Sequence, residues 1–286
     1  MAHPDPMAGT DSVQRFFAHQ QALRNQCQQH TAPQDTFDWL TPGYTIPGRI
    51  AELAARYPDR IAVYDERTTL TYRELDQAAN RIANGLLAEG GPDWEIVALS
   101  VGLDATSLVA ALGVLKSGKA YVGFDDALTQ GRCTQILEDT ETTLLVYDSA
   151  HAAQAMHLAG SSRRTISVTD LLRQPAHPPA AALSPDAIAL LNYSSGTTGQ
   201  PKGVVQSHHS ALAQAAGFAS MCHLGSADRV TNFSALAWAG AFWTLFGPLC
   251  LGATVATFDV RRSSHTHLAD WLARTGVTVV VGSTIV

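Results

Sequence analysis

At 286 residues, with 46% hydrophobic and 15% charged side chains, the chain can bury a sizeable core and is too apolar for a disordered polymer. Its 19 Lys+Arg against 25 Asp+Glu give a formal charge of -6, which argues against a nucleic-acid surface of clustered cations. The lysines are only Lys116, Lys119 and Lys202, so their placement is informative.

In chain order, a leader over 1–45 comes first. Asp11 or Ser12 can cap a helix reaching about residue 30, with Val13, Phe16, Phe17 and Leu23 near one face, before Pro33, Pro42, Gly43 and Pro47 break it. No apolar stretch there resembles a secretory signal. Helix 50–56, strands 61–64 and 69–71, and a helix over 72–89 follow. The last carries Leu75, Ala79, Ile82 and Leu86 at helical spacing. Thr71 and Glu74 form a capping box at its start. Strand 96–101, helix 105–116, strand 120–124, helix 133–138 and strand 143–147 then alternate, which implies right-handed crossovers and a largely parallel sheet. The proline-rich stretch 174–185 (QPAHPPAAALSP) reads as a linker, separating a first α/β subdomain over 46–175 from a second over 176–286.

The second half opens with strand 187–193, which runs into a Gly/Ser/Thr loop ahead of the strand-like Val204 and Val205. From 231 to 258 there is no charged side chain, which raises the question of a membrane span. Gly240, Gly247, Pro248 and Gly252 instead divide the run into a buried helix 238–251 and a buried strand 253–258, so no membrane partner is expected. The stretch 276–286 is expected to hold a buried strand and the first residues after it. Cys27, Cys133, Cys222 and Cys250 show no C-x-x-C spacing, consistent with a reducing, cytoplasmic setting. His208 is expected to pack and hydrogen-bond at the start of a helix rather than act as a base, and His265 and His267 to sit at a solvated one. No histidine has metal-cage spacing. No G-x-S-x-G elbow supports a hydrolase.

The loop reads Tyr193-Ser194-Ser195-Gly196-Thr197-Thr198-Gly199-Gln200-Pro201-Lys202-Gly203. Glycines let backbone N–H groups turn toward an anion, hydroxyls add donors, and Lys202 adds a point charge suited to phosphate. It is not a Walker A loop, because Pro201 precedes the lysine and Gly203 replaces the magnesium-binding Ser/Thr.

This stretch resembles the signature Y/T-S-G-[ST]-T-G-x-P-K-G of the acyl-adenylate-forming enzymes, which include nonribosomal peptide synthetase adenylation domains and acyl-CoA or aryl-CoA ligases. Leu70-Thr71-Tyr72-Arg73-Glu74-Leu75 is similar to their L-T-Y-x-E-L element. Leu115-Lys116-Ser117-Gly118-Lys119-Ala120-Tyr121-Val122 is similar to L-K-A-G-x-A-Y-V, continued by Asp125, Arg132, Ile136, Leu137 and Asp139. Gly123, Asp126 and Thr129 depart from that pattern where it has prolines, a change expected only to loosen a turn.

The resemblance implies the front part of the family's N-terminal domain: two layered, largely parallel sheets flanked by helices. It implies attack of a carboxylate on MgATP to give an acyl adenylate and pyrophosphate, then transfer to the thiol of CoA or of a carrier-protein pantetheine. Lys202, Thr197 and Thr198 would carry the phosphate chemistry, and Ser194, Ser195, Gly196, Gly199 and Gly203 would complete the nucleotide cradle. Trp238, Ala239 and Gly240 would lie at the acid pocket. Ala239 stands where amino-acid-activating relatives have an aspartate for the substrate ammonium, which favours an aryl, fatty, keto or hydroxy acid. A slip of a few residues would bring Asn232 or Ser234 nearer instead. The elements that contact adenine, ribose and magnesium and the C-terminal lid with its lysine are not in this sequence. The alternative reading is therefore a truncated, inactive chain that at most binds nucleotide phosphate.

Overall fold

The computed structural model describes residues 43–89, 94–194, 202–238 and 240–282. The expected leader helix lies outside them. Helix α1 (Ile46–Arg56) begins where the Thr45 hydroxyl accepts the Gly48 N–H, with Pro47 in the first turn. A proline has no donor to lose there, so the helix starts earlier than the expected residue 50. Strands β1 (Ile61–Tyr64) and β2 (Thr69–Thr71) form an antiparallel pair. Helix α2 (Tyr72–Ala88) starts at the capping box: Thr71 Oγ1 accepts the Glu74 N–H at 3.2 Å, and Glu74 Oε2 accepts the Thr71 N–H at 2.8 Å.

Alternation continues through β3 (Ile96–Ser100), α3 (Ala105–Lys116), β4 (Ala120–Phe124), α4 (Gln130–Asp139), β5 (Leu144–Tyr147), α5 (Ala152–Ala159), β6 (Arg164–Ser167) and the short α6 (Val168–Leu171). Beyond the linker come β7 (Ile188–Ser194), β8 (Lys202–Ser207), α7 (His208–Met221), β9 (Arg229–Asn232), α8 (Ala241–Leu251), β10 (Thr254–Thr257) and α9 (His265–Thr275).

The strands form two sheets, one ordered β2-β1-β10-β9 and the other β6-β5-β3-β4-β7-β8. All neighbours are parallel except the β1–β2 and β7–β8 pairs. The largely parallel pairing is what the alternation predicts, and the two layered sheets are what the resemblance implies. A shared core joins Val63 and Val255 of the first sheet to Val97 and Leu190 of the second through Ile82, Leu112 and Phe246 of the intervening helices.

Each sheet takes strands from both sides of residue 175, so the linker does not separate one sheet from the other. Nor is it a loose tether. Asn84 Nδ2 donates to the carbonyls of Pro175 (2.8 Å) and His177 (2.9 Å), Asn80 Nδ2 to Ala176, and Arg81 to Gln174. These α2 side chains satisfy carbonyls that an extended, proline-rich segment cannot pair in a ladder.

The uncharged run divides as expected into the end of β9, α8 and β10, with Gly252 closing α8 in the left-handed region at φ 84°. No helix among the described residues is long and apolar enough to cross a membrane. Helix α8 is shorter than expected, starting at Ala241 rather than at 238. In place of the strand expected within 276–286, the described residues 276–282 make a single bridge, Val279 to Val230. There the Thr278 hydroxyl accepts the Arg229 N–H at 2.9 Å, a place that a ladder carbonyl would occupy.

Candidate functional site

The β7–β8 hairpin frames the Gly/Ser/Thr loop. Its last register pair is Ser194 opposite Lys202, preceded by Tyr193 opposite Gly203 and Asn192 opposite Val204. Cross-strand partners share a face of the pleat, so Ser194 and Lys202 lie on one face and Tyr193 on the other. Ser194, Lys202 and Gly203 are all exposed. Ser195, Gly196, Thr197, Thr198 and Gly199 lie outside the described residues.

The lysines now separate by role. Lys116 Nζ lies 2.6 Å from Asp76 Oδ1 and 2.7 Å from Asn80 Oδ1. Lys119 Nζ lies 3.1 Å from Glu95. Both are buried, their charges neutralised within the fold. Lys202 is exposed at the loop's edge, with no ion pair among the described residues.

On the opposite face, the Tyr193 hydroxyl donates to Asp139 Oδ2 at 2.5 Å, and the Arg132 guanidinium stands 5.7 Å from the ring centroid. Burial, with the Asp139 carboxylate second, raises the Tyr193 pKa above the ordinary tyrosine value. Gly203 makes room for this ring: a Cβ there would lie 3.2 Å from it. Arg132 and Asp139 are seven residues apart, two turns of α4, and therefore on one helix face. That spacing was present in the sequence, but its target was not.

The second expected element follows β9. Trp238 is 48% exposed, and Gly240 is the uncapped N-cap of α8. A Cβ on Gly240 would meet the Trp238 ring at 2.0 Å, so ring and glycine hold a turn that delays the helix to Ala241. Ala239 lies outside the described residues. Just before this turn, Leu236 and Ala237 cross Gly123 of β4 so closely that a Cβ there would lie 2.6 Å from the Leu236 carbonyl carbon. Gly123 is thus a close-approach position rather than a loosened turn. Its fellow departures also have structural partners: Asp126 meets His151, and Thr129 caps α4 by accepting the Arg132 N–H.

This crossing brings the segment before Trp238 against the Tyr193 face of the hairpin. Tyr193, Ala237, Val122, Leu128 and Arg132 line a small cleft of about 30 Å³ on the face of the hairpin opposite Ser194 and Lys202. His208 is buried at the start of α7, and burial holds its pKa down to about 4, so the ring is neutral near pH 7. Its packing is as expected, but the expected hydrogen bond is not made at Nδ1, which finds no partner among the described residues. His267 is tied to Glu66 at 2.8 Å rather than simply solvated. Among the described residues, no group of three or more His, Cys, Asp or Glu could hold a metal ion.

The profile of a family described as "AMP-binding enzyme" matches residues 50–285. Tyrocidine synthase 2 of Brevibacillus parabrevis is 33% identical over 77% of this chain and 6% of its own length. Syringomycin synthase SyrB1 of Pseudomonas syringae pv. syringae is 30% identical over 84% of this chain and 39% of its own. Among solved structures, the nonribosomal peptide synthetase FmoA3 bound to α-methyl-L-serine-AMP superposes with a TM-score of 0.76 at 26% identity. The superposition covers 90% of this chain and 28% of that one. The chain thus spans well under half the length of these relatives. With a family profile matched across most of its length and a fold shared with adenylate-bound FmoA3, the chain belongs to the AMP-binding, adenylate-forming enzyme family.

Proposed function

We propose that this chain carries the ATP-phosphate-binding part of an enzyme that activates a carboxylic acid as an acyl adenylate. In that reaction a carboxylate oxygen attacks the α-phosphorus of ATP, the bond to the bridging oxygen breaks, and pyrophosphate leaves. A thiol sulfur, on CoA or a carrier-protein pantetheine, then attacks the acyl carbon and AMP departs. The observation that carries this reading is the hairpin mouth, where Lys202 is exposed beside Ser194 while both other lysines are neutralised internally.

The protein's part is to position groups and offset charge, because in-line attack at phosphorus needs no covalent enzyme intermediate. Ser195, Thr197 and Thr198 donate to the β- and γ-phosphate oxygens, while Gly196, Gly199 and Gly203 let backbone N–H groups approach. Lys202 holds the departing pyrophosphate. Magnesium accompanies ATP and balances its phosphate charge, with no ligand assigned among the described residues. Trp238, Ala239 and Gly240 face the acid. With alanine at 239, nothing there pairs with an ammonium, and burying one unpaired would be costly. The favoured substrates are acids without an α-amino group.

Lys202→Ala tests the reading. ATP affinity of the 286-residue chain, measured by calorimetry, is expected to fall about tenfold, the scale of one charge-assisted contact. Unchanged affinity would remove the hairpin from nucleotide binding. Pyrophosphate exchange with a panel of aryl, fatty, keto, hydroxy and amino acids addresses the chemistry. ATP binding without exchange for any acid is the outcome for a chain that only holds nucleotide phosphate.

A further inference from the structure

The face of the hairpin opposite Lys202 is tied down more firmly than a loop edge requires. We propose that Tyr193, held by Asp139 and Arg132, is a positioning residue that sets the reach of Lys202 toward phosphate. This inference rests on the phosphate-binding reading above and deepens it.

Four observations support it. Tyr193 lies between the Asn192–Val204 and Ser194–Lys202 register pairs, so any rotation of its backbone moves Ser194 and, through the ladder, Lys202. Its hydroxyl makes a 2.5 Å charge-assisted hydrogen bond to Asp139, the last residue of α4. Arg132, in the first turn of the same helix, stands over the ring face at 5.7 Å. Across the ladder Gly203 offers a bare α-carbon, and a Cβ there would press on the ring at 3.2 Å. The ring is thus held by a carboxylate at its tip, a cation at its face and a glycine at its flank.

The purpose of such a brace follows from the position of β8. This is the edge strand of its sheet, with only β7 beside it and with Val204 and Val205 exposed. Little packing fixes its first residues, so an exposed lysine there would pay a large ordering cost on meeting an anion. Fastening the partner strand from the far side reduces that cost without placing another side chain in the ligand's path. The brace also links the hairpin to α4 through the wall of the cleft that Ala237 lines.

The test is a double-mutant cycle on ATP affinity of the full 286-residue chain, with Tyr193→Phe, Lys202→Ala and the pair. Tyr193→Phe keeps the ring and removes only the hydroxyl. It is expected to weaken ATP binding about fivefold to tenfold in the wild-type background and to have no further effect in Lys202→Ala. Asp139→Asn, which keeps an acceptor, should recover most of the affinity lost in Asp139→Leu. Hydrogen exchange at the Lys202 to Val204 amides should quicken in Tyr193→Phe. If Tyr193→Phe binds ATP as wild type while Lys202→Ala does not, the brace is overturned and the phosphate reading stands. If the two effects add fully, Tyr193 does not act through Lys202 and the inference is overturned. If Lys202→Ala binds ATP as wild type, or the chain takes up no ATP, both readings are overturned.

Discussion

His151 has a carboxylate on each ring nitrogen: Nδ1 lies 2.6 Å from Asp148 Oδ1, and Nε2 lies 2.9 Å from Asp126 Oδ1. The Asp148 hydrogen bond raises the histidine pKa most; burial opposes it, and Asp126 adds to it. Burial alone would raise Asp148, but the hydrogen bonds from His151 and the Gly102 N–H outweigh it and hold its pKa down. Nearby Asp104 is raised by burial and by its neighbours Asp65 and Asp148. The signs then follow. The raised histidine contributes stability that is full below its ordinary value of about 6.5 and is lost as pH rises through the raised folded value. The lowered aspartate contributes above its ordinary value of about 3.9, and that part is lost as pH falls. The clamp between the β4–α4 and β5–α5 connections is therefore strongest in the acid-to-neutral window. His151→Asn is expected to flatten the fall of the urea-unfolding midpoint as pH rises above the ordinary histidine value of about 6.5 and through the raised value in the folded protein. An alkaline limb as steep in the variant as in wild type would place that fall elsewhere.

Among elements, those bounded by local chemistry were legible. Helix α3 over Ala105–Lys116 and strand β4 over Ala120–Phe124 end where expected, and α2 starts at its capping box. N-caps, proline rules and apolar runs are encoded within a few residues of where they act. What the sequence hid depends on contacts between distant segments. Gly123 looked like a missing proline until Leu236 and Ala237 were seen to cross it, and Tyr193 looked like a motif edge until Asp139 and Arg132 converged on it. The tip of the loop is the most specific stretch of the sequence, and its likeness to the family signature lies in the identity and order of its residues. Gly123→Ala tests the crossing. The added methyl would lie 2.6 Å from backbone that cannot swing aside as a side chain can, so the 233–238 segment must shift. Unfolding should show a loss of about 1–3 kcal/mol, the usual scale of overpacking. Trp238 fluorescence should change with it. Wild-type stability and emission together would show that the crossing is slack.

At the scale of the whole molecule, the proline-rich stretch divides the sequence but not the sheets. Cutting there would take β10 from β1 and β7 from β4, exposing two parallel edges in the first half alone. It would also separate Tyr72, whose hydroxyl lies 2.8 Å from the carbonyl oxygens of both Leu249 and Ala253, and Arg49, whose Nε donates to the Cys250 carbonyl at 2.9 Å. These buried hydrogen bonds would be lost, at about 0.5–1.5 kcal/mol each once water replaces the missing partner. A surface tie from Arg261 to Asp125, at 3.6 Å, would be lost as well but would matter little. The expected result is that fragments 1–175 and 176–286, expressed separately, each lack a cooperative unfolding transition and bind the dye ANS. Mixed, they should recover a single urea transition and the protection of β1 and β4 amides from hydrogen exchange. Independent cooperative transitions for the two fragments, at denaturant concentrations near that of the intact chain, would mean that the strands shared across the linker add little. The β7–β8 hairpin would then belong to a separate, smaller folding unit. If recovery instead requires both halves, the β7–β8 hairpin and the four-stranded sheet fold as one cooperative body, and destabilising substitutions in α1 or α2 should loosen the hairpin through stability alone.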